Sequence, residues 1–137
     1  MHKHIYLFII FLLYQTSSFS KISDVNKFDQ KNLSNYFSAV LSINNNDAKN
    51  SLKFLEKSKI LNDRHEEHFK NYIKSLVASE KVDLAIKKIK YSKNNYSFLE
   101  REVILLVDNL INKNLEKSSL NLKKIESLID QDDRYHI

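Results

Sequence analysis

The stretch YFSAVLSINNNDAKNSLKFLEKS, residues 36 to 58, contains two apolar segments separated by a run of asparagines. In the second segment Ala48, Ser51, Leu55 and Ser58 recur at spacings of three, four and three residues, which is typical of the buried stripe of an α-helix. Asparagine tolerates the left-handed backbone conformation that ends many helices, so the asparagine run indicates a tight turn. The stretch therefore predicts two consecutive helices joined by a short connection.

The buried stripe of the second helix recurs twice further along the chain. The copies begin at Val82 and at Leu115, and they are Val82, Ala85, Ile89, Ser92 and Leu115, Ser118, Leu122, Ile125. The step from one copy to the next is nearly constant and is one residue shorter the second time. Since a long internal period is the mark of a repeat architecture, the chain is expected to contain three helical hairpins, at residues 29–62, 63–96 and 97–129.

Helix-capping residues recur in phase with these stripes. A side-chain oxygen placed just before a helix accepts hydrogen bonds from backbone N–H groups that otherwise lack partners. Candidate caps precede the first helix of each of the three units and the start of an expected fourth unit, and they are Asp29, Asp63, Ser97 and Asp130. Candidate caps of the second helices are Asn45, Ser79 and Asn112. The agreement of two independent signals favours an all-α chain of repeated hairpins.

Composition supports the all-α prediction and excludes several chemistries. The 137-residue chain is 42% hydrophobic, which is enough to bury a core, and it contains no glycine and no proline. The absence of cysteine excludes disulfides, thiolate metal sites and a thiol nucleophile, and the absence of glycine excludes phosphate-binding glycine loops. The formal net charge of +5 is a weak indication of an acidic partner.

The N-terminal residues have the three parts of a secretory signal. A basic start at residues 2–4 precedes the apolar run at 5–14 and the polar stretch QTSSFS. Ser18 and Ser20 occupy the small-residue positions that a signal peptidase reads, so we expect a signal peptide at 1–20, a mature chain from Lys21 and a linker at 21–28. An uncleaved membrane anchor at residues 5–19 and a buried N-terminal helix are the alternatives. Secretion across the inner membrane, with the periplasm as destination, follows from cleavage.

The hairpin units resemble tetratricopeptide repeats. Small, large and small residues occupy the family's places in the second helices of the first two units, and they are Ser51, Leu55, Ser58 and Ala85, Ile89, Ser92. In the first helices Ala39 matches the small position, and Phe69 and Leu76 match the bulky ones. Ile73 and Val107 depart from the family's Gly or Ala. A related helical-pair array of the Sel1-like or HEAT type is the alternative.

The resemblance implies an α-solenoid whose inner, concave face is formed by the first helices and binds a peptide or a partner helix. The residues that it places on this face are Tyr36, Val40, Lys70, Asn71, Lys74, Ile104 and Asp108. Lys70, Asn71 and Lys74 resemble in part the clamp with which some members of the family hold a peptide carboxylate, and the partner can therefore be acidic. The alternative for these three residues is a solvated basic helix face.

Other motifs give no catalytic, cofactor or metal site. In HEEH, residues 65–68, His65 and His68 share a helix face, but two histidines would need a third ligand, and their spacing is not that of the HExxH zinc proteases. The tracts KKIK at 87–90 and Lys123–Lys124 alternate with apolar residues and are expected on solvated faces, without nucleic-acid binding. Serine, histidine and aspartate are present, but nothing indicates the sharp turn that poses a catalytic serine.

The sequence therefore predicts a non-enzymatic protein-interaction scaffold without cofactors. Asp130 and Asp133 repeat the pattern that opens each unit, so residues 130–137 are expected to begin a fourth repeat of a longer array. Two other functions stay open: a substrate-gripping arm of a larger secreted enzyme, and a membrane-tethered envelope assembly factor.

Overall fold

The computed structural model describes residues 29–131, and within this range the chain forms six α-helices and no β-strand. A short 3-10 helix, Lys59–Leu61, follows the second α-helix. The all-α prediction is confirmed for this range. The expected signal peptide at 1–20, the linker at 21–28 and residues 132–137 of the expected fourth repeat lie outside the described residues. The six helices are α1 (Gln30–Asn44), α2 (Ala48–Lys57), α3 (Glu66–Ala78), α4 (Val82–Lys90), α5 (Leu99–Ile111) and α6 (Leu115–Asp130).

The helices form three consecutive pairs, α1 with α2, α3 with α4, and α5 with α6, which we call the first, second and third hairpins. Each pair is joined by three residues whose middle member has a left-handed backbone, with φ of 56° at Asn46, 60° at Glu80 and 56° at Lys113. In each turn the last connecting N–H donates to a carbonyl five residues earlier, as in Asp47 N to Ser42 O at 2.8 Å. This bond satisfies a carbonyl that the helix end would leave free.

The turns correct the predicted caps of the second helices. Asn45, Ser79 and Asn112 end α1, α3 and α5 rather than beginning the next helix. The residues just before the second helices lie two positions later, and they are Asp47, Lys81 and Asn114. A left-handed residue must separate the two helices so that the chain reverses, and this requirement moves each start. Because every start moves by the same amount, the period of the repeat is unchanged.

Among the predicted caps of the three first helices, only Asp29 is confirmed. Its carboxylate accepts a hydrogen bond from Lys31 N at 3.1 Å. At α3 the cap is His65, whose Nδ1 accepts from His68 N at 3.2 Å, and Asp63 precedes it in a turn. At α5 the residue before the helix is Phe98, which has extended backbone and a buried ring. Burial of this ring against Phe69, with ring centroids 6.2 Å apart, sets the start of α5 one residue beyond the predicted Ser97.

The hydrophobic core lies in the first and second hairpins. Its buried members come from α1 to α4 and from the residue before α5, and they are Ala39, Leu52, Leu55, Phe69, Tyr72, Ile73, Leu76, Ala85, Ile89 and Phe98. Ser51, one of the small residues of the repeated stripe, lies at a close contact between two hairpins. Its hydroxyl is 2.9 Å from that of Ser75 on α3, so these two small side chains allow α2 to approach the next hairpin.

The third hairpin is built differently. Its fully or nearly buried side chains are mostly polar, with Glu102 completely buried and Ser118 and Asn121 almost so. Leu115 and Leu122, which belong to the predicted buried stripe of α6, are exposed instead. Three apolar residues of α5 are exposed as well, and they are Val103, Val107 and Leu110. Asp130, expected to open a fourth unit, is the last residue of α6.

Candidate functional site

The exposed side of α3 carries the three polar residues of the predicted concave face. Lys74 is exposed, and Lys70 and Asn71 are half-buried. The buried residues of the helix are His68, Phe69, Tyr72, Ile73, Ser75 and Leu76. Because α3 is the central first helix, this side lies between α1 and α5.

Lys74 already has an anionic partner. Its Nζ lies 3.3 Å from Glu100 Oε1 on α5, and the two side chains are 46% and 34% exposed. Exposed ion pairs of this kind contribute about 1 kcal/mol or less. An acidic ligand can therefore displace Glu100 from Lys74 at small cost.

A small cavity of about 210 Å³ lies next to Lys74. Its walls come from the end of α1, from α2 and from α3, and the lining residues are Ile43, Asn46, Ala48, Ser51, Lys74, Ser75 and Ala78. Four of these residues are polar, but most of the surface that they expose to the cavity is apolar. The cavity therefore suits one small apolar side chain beside an acidic group held by Lys74.

Tyr36 joins α1 to the same face of α3. Its ring centroid lies 5.2 Å from that of His68 and 5.5 Å from that of His65. Desolvation raises the pKa of the phenol, a hydrogen bond with the side chain of Asn71 opposes this change, and the charge of Glu67 adds to it. Tyr36 and Asn71 are therefore held together in the structure.

The other residues predicted on the concave face are Val40, Ile104 and Asp108, and they differ in their surroundings. Val40 on α1 and Ile104 on α5 are both half-buried, and Ile104 packs against the core. Asp108 lies against α4, where its Oδ2 is 2.5 Å from Lys90 Nζ and its side chain is 12% exposed. The carboxylate of Asp108 is therefore engaged with the second hairpin, and it borders a cleft of about 590 Å³ between α4, α5 and α6.

The two histidines of HEEH have structural partners. The buried His68 ring bridges two side chains, with Nδ1 2.8 Å from Asn62 Oδ1 and Nε2 2.8 Å from Ser58 Oγ. Desolvation first, and then the neighbouring His65, lower the pKa of His68 to about 4. Within residues 29–131 no three His, Asp or Glu side chains are grouped so that they could hold a metal ion.

A buried polar network in the third hairpin was not predicted. Glu102 pairs with Arg101 and accepts from Asn121 Nδ2 at 2.7 Å, and Asn121 Oδ1 accepts from Asn109 Nδ2 at 2.9 Å. Lys124 Nζ lies 3.9 Å from Glu102. The sequence signal was available, because Glu102 and Asn109 lie two turns apart on one side of α5, but charged residues at such positions usually face water.

Comparison of the chain with protein-family models, with curated proteins and with solved structures finds no match. No helix between residues 29 and 131 has the length and apolar character needed to cross a bilayer.

Proposed function

We propose that the chain is a non-enzymatic interaction scaffold, an α-solenoid of three tetratricopeptide-like hairpins that binds an extended peptide or partner helix on the face of α1, α3 and α5. The observation that carries the proposal is the recurrence of the same turn, with its left-handed residue, at Asn46, Glu80 and Lys113. Nearly equal steps between these turns support a stack in which each first helix has an equivalent place, and in such a stack the three helices would together offer one elongated surface.

The chemistry of this face favours a partner with an acidic group next to a small apolar side chain. Lys70 and Lys74 supply positive charge, and Asn71 supplies an amide on the same side of α3. The apolar cavity beside Lys74 supplies a place for the neighbouring side chain. A chain terminus is one source of the carboxylate and an internal acidic residue is the other.

The proposal includes export to the periplasm, with the mature chain beginning at or near Lys21. It is supported by the order of basic, apolar and Ser-rich segments in residues 1–20. N-terminal sequencing of the protein recovered from the periplasm of a Gram-negative host checks this part, and an intact Met1 on membrane-bound material would contradict cleavage.

Binding can be tested with labelled peptides in which glutamate and valine alternate. Fluorescence anisotropy is measured for a peptide with a free C-terminal carboxylate and for its amidated form, with a lysine and valine peptide as the charge-reversed control. The double variant Lys70→Ala with Lys74→Ala is expected to weaken binding of the acidic peptide about two- to thirtyfold, because each exposed charge contributes up to about 1 kcal/mol.

The matched control is Lys87→Ala with Lys88→Ala, which removes the same charge from the exposed side of α4. Glu100→Gln is a gain-of-binding variant, because it releases Lys74 from its present partner. If the control pair reduces binding and the Lys70 and Lys74 pair does not, the groove of the first helices is not the binding surface. A loss of affinity on amidation identifies a chain terminus as the preferred ligand.

A further inference from the structure

The cleft of about 590 Å³ between the second and third hairpins, which we call the hairpin cleft, is separate from the cavity beside Lys74. Its walls come from the end of α4, from α5, from the turn after α5 and from α6, and among the described residues none of α1 or α3 lines it. Its volume lies within the range of about 300 to 1,000 Å³ that is typical of small-molecule sites. The hairpin cleft can therefore hold a ligand independently of the peptide groove.

The lining of the hairpin cleft is positively charged. Its three lysines are Lys90 of α4 with Lys117 and Lys124 of α6. Among residues 29–131 the one carboxylate in the lining is that of Asp108, which is paired with Lys90, so the lining has a formal charge of +2. Glu102 lies 3.9 Å from Lys124, but it is buried and already paired with Arg101. The exposed Lys117 and Lys124 are therefore suited to an anionic ligand.

Side-chain amides supply the rest of the polar lining, and they are Asn109, Asn112, Asn114 and Asn121. Internal hydrogen bonds orient them. Asn109 Nδ2 donates to Asn121 Oδ1 at 2.9 Å, and Asn114 Oδ1 accepts from Lys117 N at 3.2 Å. An amide group has two donor hydrogens and an oxygen with two lone pairs, so one internal bond leaves it able to make others. The cleft thus offers donors and acceptors together.

This combination of groups favours a ligand with both carboxylates and hydroxyls. A hydroxyl donates and accepts, and an amide matches both roles, whereas an ionised phosphate group only accepts. Two apolar residues, Leu105 and Leu120, complete the lining, and Leu120 is 55% exposed. They provide an apolar contact for the C–H groups of a sugar ring.

We propose that the hairpin cleft binds an acidic oligosaccharide, a short chain of uronic acid units. Its carboxylates pair with Lys117 and Lys124, and its hydroxyls bond to the asparagine amides. Because Lys90 belongs to the second hairpin and the other two lysines belong to the third, the bound saccharide also joins the two hairpins.

Isothermal titration calorimetry of the full chain with trigalacturonate tests the proposal, at low ionic strength because salt screens exposed charges. We expect saturable binding that weakens about two- to thirtyfold in the double variant Lys117→Ala with Lys124→Ala, since each exposed charge contributes up to about 1 kcal/mol. The matched control is Lys87→Ala with Lys123→Ala, which removes the same charge from exposed positions of α4 and α6 outside the cleft and should keep the parent affinity. Circular dichroism melts check that both variants are folded.

Two related ligands separate the contributions of charge and hydroxyl groups. The methyl-esterified trisaccharide keeps the hydroxyls and loses the charges, and propane-1,2,3-tricarboxylate carries three carboxylates without hydroxyls. Both are expected to bind more weakly than trigalacturonate. Equal affinity for either one would overturn the assignment of an acidic saccharide.

The double variant Lys70→Ala with Lys74→Ala separates the hairpin cleft from the peptide groove, and it should keep the parent affinity for trigalacturonate. A loss of affinity in this variant would place the saccharide in the peptide groove and overturn the proposal. No binding at millimolar trigalacturonate, or equal losses in the Lys117 and Lys124 variant and its control, would also overturn it.

Discussion

The first two hairpins and the third hairpin use the same chain geometry with opposite distributions of polarity. In the first two, residues such as Leu55 and Ile73 are completely buried. In the third, the buried positions between the helices are held by Glu102 and Asn121, while Val107 and Leu122 are exposed. Helical periodicity therefore determines which residues share a face, whereas the neighbour of that face decides whether it is buried.

The largest expected effect on the free energy of unfolding comes from shortening the leucine side chain that occupies equivalent positions in the two regions. Leu55→Ala should lower the free energy of unfolding by about 2 to 5 kcal/mol, because it leaves a cavity in a packed core. Leu122→Ala at the equivalent position should cost less than about 1 kcal/mol, because the side chain is already half in solvent.

Urea denaturation at a concentration where the chain is monomeric measures both values. Equal losses would show that the third hairpin is packed like the first two and would remove the basis of the comparison.

The second effect concerns the buried carboxylate of the third hairpin. Glu102→Gln keeps the shape of the side chain but removes the charge that Arg101 pairs with, and we expect a loss of about 2 to 3 kcal/mol. The same substitution at Glu116, which is exposed in the first turn of α6, is the control and should cost little. If Glu102→Gln leaves the denaturation midpoint unchanged, the network does not stabilise the third hairpin.

The smallest effect is a pH dependence confined to the first two hairpins. The pKa of His68 is about 4 in the folded chain and about 6.5 unfolded, so the unfolded chain binds more protons between these values. Stability from this residue is therefore complete above about pH 6.5 and is lost as the pH falls towards 4. We expect a loss of about 1 to 2 kcal/mol between pH 7 and pH 5.

Denaturation curves at several pH values measure this loss. His68→Gln should flatten the dependence, whereas His65→Gln should leave most of it. A dependence that survives in His68→Gln must come from another group.

The positions of the helices were predicted well, because caps, turns and helical spacing depend only on residues that are close together in the sequence. The asparagine turn, the cap at Asp29 and the nearly constant period of the hairpins all reappear in the structure. The starts of α3 and α5 were misplaced because the packing of Phe98 on Phe69 and the cap at His65 depend on tertiary contacts. Sequence reasoning had no means of weighing these contacts against a favourable Asp or Ser.

Within the candidate site, the sequence grouped Lys70, Asn71 and Lys74 on one side of one helix, because this follows from helical spacing. It did not find the pairing of Lys74 with Glu100, or that of Asp108 with Lys90. Both join residues from different hairpins, and their geometry depends on how the hairpins stack. Binding on this side of α3 remains a prediction.

The left-handed turns have a consequence for the denatured chain. Glu80 and Lys113 hold a conformation that costs a side-chain-bearing residue about 1 kcal/mol, and glycine would adopt it freely. Glycine would also give the unfolded ensemble more conformations to lose, an entropic effect of about 0.4 to 1 kcal/mol in the opposite direction. The two effects are similar in size, so a chain without glycine can keep these reversals at little net cost in stability. Their shape is then fixed by backbone hydrogen bonding, and the three turns accordingly have three different middle residues, Asn46, Glu80 and Lys113.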